Sequence, residues 1–162
     1  MIFYALYGVY MLHSMYLSRK TKKTTTKRNY NEFNLSVSIG VYLSTVQKKI
    51  LFQFTNDAIK LTQQQAGRKL KLMQRKGYPD LFIAQPNKKY HGLYIELKEN
   101  KDKVIGKKGK MLGNKHLREQ IVMMKLLQDK GYCCFFCWDI KQFVDILNDY
   151  LNDRIDNNSL IY

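Results

Sequence analysis

Acidic residues are scarce in this chain of 162 residues. It carries 13 Asp and Glu against 28 Lys and Arg, so its formal net charge is +15. An imbalance of this size indicates that the usual partner is a polyanion, with nucleic acid the first candidate and an anionic membrane surface the second. The length suits one domain with a substantial hydrophobic core.

Cysteine is limited to three residues that lie in one short apolar run: Cys133, Cys134 and Cys137. Cysteines this close on a strand rarely form structural disulfides, which indicates a reducing compartment. We therefore expect an intracellular protein, in the cytoplasm or nucleus, encoded by a cell, a virus or a phage. No His or Cys cluster elsewhere matches these cysteines, so a zinc site is not expected.

The sequence has no internal repeat and no secretory pattern. Residues 1–18 are apolar and aromatic, and the basic run Arg19–Arg28 follows them, whereas a signal peptide carries its charge before the apolar part. Two interpretations stay open: a basic extension that touches phosphates or has no role, and a signal anchor with a cytoplasmic basic flank. We divide the chain into an extension (1–31), a main domain (32–151) and a C-terminal tail (152–162).

One stretch organises the main domain. The uninterrupted apolar run Leu81–Ala84 predicts a buried strand, and Leu93–Leu97 predicts a second one after a polar turn. An antiparallel hairpin centred near Lys88 places Asp80 opposite a residue close to Glu96. Because strand side chains alternate, Glu96 and Lys98 share one face.

Two carboxylates and one ammonium group therefore gather at one end of the hairpin. Neighbouring carboxylates repel each other unless a cation lies between them, and Mg²⁺ or Mn²⁺ would relieve the repulsion. Lys98 could then hold a phosphate oxygen or orient a water molecule. The alternative is a surface hairpin whose Glu–Lys pair contributes roughly 0–1 kcal/mol.

These residues resemble a known family. Pro79-Asp80 followed by Glu96-Leu97-Lys98 matches the PD-(D/E)xK nuclease signature, and the flanking residues, Gly77-Tyr78 and Tyr94-Ile95, are similar to the VRR-NUC branch. The resemblance implies an α/β fold: a restriction-endonuclease-like core with a mixed β-sheet flanked by helices.

The resemblance also implies a metal-dependent nuclease acting on DNA, with flaps or junctions as substrates and pairing into a homodimer. Asp80, Glu96 and the Leu97 carbonyl would hold Mg²⁺ or Mn²⁺, and Lys98 would position the water. The family places a supporting Gln where Gln120 lies. It also opens with a helix carrying a Glu, which makes Glu32 a possible extra ligand.

Residues 32–47 fit a helical stripe and a strict alternation equally well, and only the resemblance favours the helix. Further along we expect a strand at 50–54, helices at 61–76, 114–130 and 140–151, and a central strand at 132–138. Asn114 and Asp139 are expected to cap the last two helices, and Gly131 to end the first of them.

Basic residues crowd around the hairpin. No acid occurs between Asp57 and Asp80, and a Gly- and Lys-rich loop follows Lys98. A charge run is usually a solvated face, but one that adjoins a phosphodiester site predicts contacts with backbone phosphates. A non-catalytic nucleic-acid-binding protein would explain the charge equally well. The residues expected to contact DNA are Lys60, Arg68, Lys69, Lys71, Arg75, Lys101, Lys107 and Lys108.

Overall fold

The computed structural model describes residues 30–55, 62, 64, 67, 68, 76–106 and 109–162. The helices with defined bounds are α1 (Tyr30–Thr45), α2 (Lys115–Asp129) and α3 (Ile140–Leu151), with a short 3-10 helix at Lys101–Lys103. The strands are β1 (Phe52–Phe54), β2 (Leu81–Ile83), β3 (Leu93–Leu97) and β4 (Cys133–Cys137).

The four strands form one mixed sheet in the order β1-β2-β3-β4. β1 pairs with β2 and β2 with β3 in antiparallel fashion, whereas β3 and β4 are parallel. The predicted hairpin is confirmed. Leu81 pairs with Ile95, so continuing the same register by one residue puts Asp80 opposite Glu96.

Helices cover both faces of the sheet. α1 and α3 pack on one face, which presents Leu81, Ile95 and other alternating strand residues. α2 packs on the opposite face against Cys134 and Phe136. Glu96 belongs to the α2 face because it alternates with Ile95, and this is why a residue of α2 can reach it. This arrangement, a mixed β-sheet flanked by helices, confirms the predicted α/β class.

Local signals set the helix ends. Asn114 Oδ1 accepts a hydrogen bond of 2.8 Å from the Leu117 N–H, and Asp139 caps α3 through the Gln142 N–H at the same distance. Gly131 has a φ of 82°, the left-handed conformation expected of a residue just past a helix.

At residues 32–47 the helix is the correct alternative. It ends at Thr45, and Val46 just beyond its end is exposed.

The expectation that β4 is a central strand was wrong. β4 is the last strand in the sheet, although all five of its residues are buried. Helices bury its two faces, and a C-terminal segment covers its outer edge, where Phe136 forms a parallel bridge with Ile161. Asn157 reinforces this contact because its Oδ1 accepts from the Cys134 N–H at 3.1 Å. An unpaired edge is a site of aggregation, and this segment shields it.

Two predicted segments fall largely outside the described residues. Of the expected helix at 61–76, the described residues Gln64, Gly67 and Arg68 are helical, whereas Thr62 and Lys76 near its two ends are not. The extension before Tyr30 lies outside the described part of the chain. Among the residues that the structure does describe, no helix has the length and apolar character needed to cross a membrane.

Candidate active site

Asp80 lies immediately before β2, at the end of the sheet where β3 finishes. Its Oδ2 accepts a hydrogen bond of 2.8 Å from the backbone N–H of Leu97. Its carbonyl oxygen accepts one of 2.7 Å from the N–H of Thr55, just after β1. Burial raises the pKa of Asp80, although the Leu97 N–H and the Lys98 ammonium group oppose the shift.

The approach to Asp80 depends on a glycine. Gly77 has a φ of 86°, and a Cβ added there would lie 2.8 Å from the carbonyl carbon and oxygen of Glu119 in α2. Both the conformation and the close approach therefore exclude other side chains. Gly77 lets the chain pass against α2 and deliver Asp80 to the end of the sheet.

Glu96 is the most buried charged group of the site, with 2% of its surface exposed. Its Oε1 accepts a hydrogen bond of 2.8 Å from Lys98 Nζ and another from Gln120 Nε2. Burial, followed by the neighbouring Asp80 carboxyl, raises the pKa of Glu96 to about 8, against the opposing effect of Lys98. Glu96 and Asp80 therefore behave as a coupled pair.

Lys98 and Gln120 approach Glu96 from two directions. Lys98 is 9% exposed, and its backbone N–H extends the pairing with β4 through a 2.8 Å bond to the Cys137 carbonyl. Gln120 is 5% exposed and comes from α2. Its Nε2 lies 3.1 Å from His116 Nε2 as well as beside Glu96. The predicted grouping of Asp80, Glu96, Lys98 and Gln120 is thus present in the structure.

Glu32 stands in the first turn of α1, on the opposite side of the sheet from α2. Its Oε1 accepts a hydrogen bond of 3.1 Å from the backbone N–H of Glu99, which follows Lys98. Its negative charge also contributes to the raised pKa of Asp80. Glu32 therefore lies within electrostatic reach of the pair and supports the chain where it leaves β3.

Two buried oxygen atoms of the site have no hydrogen-bond partner among the described residues: Glu96 Oε2 and Gln120 Oε1. Unpartnered buried acceptors beside two carboxyl groups are unfavourable, and a hard divalent cation with its waters would satisfy them. The oxygen-rich donor set therefore fits Mg²⁺ or Mn²⁺. Across the described ranges, no cluster of three or more His, Cys, Asp or Glu could hold a metal by itself. The two carboxylates would need further oxygen ligands.

The predicted DNA-contacting residues are described only in part. Arg68 is exposed and helical, and Lys101 is exposed at the start of the 3-10 helix, three residues after Lys98. The others lie outside the described residues: Lys60, Lys69, Lys71, Arg75, Lys107 and Lys108.

Sequence reasoning gave no role to His116 and missed the function of the Leu97 N–H. The His116–Gln120 contact follows from their spacing of four residues, which places both on one side of a helix. This spacing of four residues could have predicted the contact from the sequence. The hydrogen bond from Leu97 to Asp80 depends on the strand register and has no signal in residue type.

No family model and no curated protein matches the chain. Among solved structures, it is similar to one described as a VRR_NUC domain protein, with a TM-score of 0.51 and 18% sequence identity over 77% of this chain and 91% of that one. The chain has the restriction-endonuclease-like fold. At this identity the similarity establishes the fold, and it agrees with the family resemblance that the residues around Asp80 and Glu96 carry.

Proposed function

We propose that this protein is a metal-dependent nuclease of the VRR-NUC type that hydrolyses phosphodiester bonds in DNA. The observation that carries the proposal is the convergence of four side chains, from two strands and a helix, on one end of the sheet. Asp80, Glu96, Lys98 and Gln120 meet there around buried oxygen atoms that have no partner in the described part of the chain. The net charge of +15 suits a polyanionic substrate.

Each side chain has a role that follows from its contacts. Asp80 and Glu96 would hold the cation with the carbonyl of Leu97, and Glu32 would support them from α1. When bound, Mg²⁺ or Mn²⁺ would supply Lewis-acid stabilisation of charge on the phosphate and would lower the pKa of a water molecule.

Lys98 and Gln120 would position the Glu96 carboxylate through direct hydrogen bonds. The Lys98 ammonium group lies 2.8 Å from Glu96 Oε1, so it can orient that carboxylate and stabilise negative charge developing on a phosphate oxygen beside it. Gln120 Nε2 donates a second hydrogen bond to the same oxygen. Because both donors bind Oε1, they leave Oε2 available for the cation.

A plasmid-nicking assay tests the proposal. The full chain is incubated with supercoiled DNA and Mg²⁺, Mn²⁺ or a chelator, and nicked and linear products are separated on a gel. We expect cleavage with either metal and none with the chelator. Asp80→Ala and Lys98→Ala should stop cleavage while leaving salt-sensitive DNA binding largely intact.

Asp129→Asn is a suitable control because Asp129 is an exposed carboxylate at the far end of α2. It should cut like the parent protein. If Asp80→Ala or Lys98→Ala cuts at the parental rate, the proposed mechanism is wrong.

The net charge also favours a second candidate, a non-catalytic nucleic-acid-binding protein. The same assay separates the two, because such a protein shifts the DNA on a gel without nicking it at any metal concentration. On the family resemblance alone, we also propose branched DNA as substrate and a homodimer as the active form. Cleavage of flap and junction oligonucleotides tests the first, and sedimentation of the full chain tests the second.

A further inference from the structure

A groove runs along the outer side of α2, next to the candidate active site. Its volume is about 640 Å³, and it is lined by Lys76, Lys115, Arg118, Glu119, Val122 and Met123. The groove and the site share a single turn of α2, since Gly77 packs on the backbone of Glu119 and Gln120. Gln120 in turn contacts Glu96. A chain bound at Glu96 could therefore continue into the groove.

The groove has an excess of positive charge. Lys76, Lys115 and Arg118 are exposed, and within the described ranges none of them forms an ion pair. Glu119 is the single carboxylate among the lining residues. By contrast, the nearby Lys98 forms an ion pair with Glu96. Unpaired cations in a concave surface attract an anion with several charges.

The spacing of the cations suits an extended anion. Lys115 and Arg118 are three residues apart on a helix, which places their Cβ atoms roughly 5–6 Å apart on one face. Lys76 comes to the same groove from a different segment of the chain, next to Gly77, which packs on α2. Cations separated in this way can each bind a different phosphate of one strand.

The floor of the groove is apolar. Val122 is 51% exposed and contributes apolar surface to the groove, and the neighbouring Met123 is buried. An inorganic phosphate gains nothing from such a surface. A sugar or base between two phosphates would cover it and remove its apolar area from water.

We propose that this groove binds the backbone of the DNA strand that leaves the active site, with its phosphates on Lys76, Lys115 and Arg118. The sugar or base between two phosphates rests on Val122. Charge complementarity and the apolar floor identify the occupant. The proposal rests on the proposed function in taking DNA as the ligand and the Asp80–Glu96 site as the point of cleavage.

The test compares two double variants that remove the same charge. Lys115→Ala/Arg118→Ala removes two cations of the groove. Lys48→Ala/Lys49→Ala removes two exposed lysines before β1, at the opposite end of the sheet from Asp80. Binding of a fluorescein-labelled duplex with a single-stranded extension is measured by anisotropy, in chelator, over a series of salt concentrations. Circular dichroism verifies that each variant is folded.

We expect Lys115→Ala/Arg118→Ala to weaken binding by about tenfold or more. The slope of log affinity against log salt should become shallower by roughly 1.4–1.8, because each lost phosphate contact contributes about 0.7–0.9. Lys48→Ala/Lys49→Ala should change the slope much less. Val122→Ser should weaken binding severalfold and leave the slope unchanged, since it removes an apolar contact and no charge.

Equal effects of the two double variants on affinity and slope would overturn the proposal. The two proposals can fail separately, because binding is measured without metal. A protein that binds through the groove but never nicks DNA contradicts the nuclease. One that nicks DNA while the groove variants bind normally contradicts the groove.

Discussion

Replacing Glu96 by Gln should remove most of the pH dependence of the metal-free protein's stability near neutral pH. Glu96 is buried beside Asp80, and its pKa is raised from 4.5 to about 8. Between these two values the folded protein holds a proton that the unfolded chain has released. Stability must therefore fall as the pH rises through this window, because the folded state binds more protons than the unfolded state.

The size of the effect follows from the shift. One retained proton changes the free energy of unfolding by roughly 1.4 kcal/mol per pH unit, so from about pH 5.5 to about pH 7.5 the parent protein should lose about 2 to 3 kcal/mol. The raised pKa of Asp80 acts in the same direction, and the measured slope belongs to the pair. Glu96→Gln has no charge to bury at this position, so its stability should depend much less on pH.

Urea denaturation in chelator measures the difference, with the fluorescence of Trp138 as the probe, since this is the one tryptophan of the chain. Asp129→Asn, which changes an exposed carboxylate, should follow the pH profile of the parent. If the free energy of unfolding changes with pH in the same way for the parent and Glu96→Gln between about pH 5.5 and about pH 7.5, the argument that burial and Asp80 hold the proton on Glu96 is refuted.

Three further outcomes follow from the contacts. Gly77→Ala should lower the free energy of unfolding by about 1–3 kcal/mol in a thermal or urea melt, because the new Cβ meets the Glu119 backbone at a positive φ. Asn157→Ala should cost about 1–3 kcal/mol by removing the acceptor of the Cys134 N–H and the donor to the Tyr132 carbonyl, whereas Asn158→Ala, at an exposed neighbour, should be nearly neutral. The three cysteines are buried and their pKa values are raised by burial, so they should react with a thiol reagent only after unfolding in guanidinium.

The hairpin could be predicted because its information is local. Apolar alternation sets the face of each residue in β3, and the turn sets the register, so Asp80 falls opposite Glu96 without any knowledge of the remaining chain. The ends of α2 could be predicted for the same reason, from Asn114 and Gly131.

Other features depend on partners that are distant in sequence. The helix at 32–47 could not be separated from a strand by periodicity, and packing on the sheet decides it. β4 was placed in the centre because it is apolar on both faces, yet helices and the C-terminal segment bury it at the edge. Asn157, in a tail to which no chemistry was assigned, joins Gln128, Cys134 and the Tyr90 hydroxyl, residues 23 to 67 positions away.

The bridge between Phe136 and Ile161 can form only late in the synthesis of the chain. During synthesis, β4 and all the residues of the proposed catalytic group emerge before the segment that shields its edge. A nascent chain can therefore assemble the proposed catalytic group while the edge of β4 is still exposed to other chains. We expect the newly made protein to be most prone to self-association in this interval, and chaperones to matter most then.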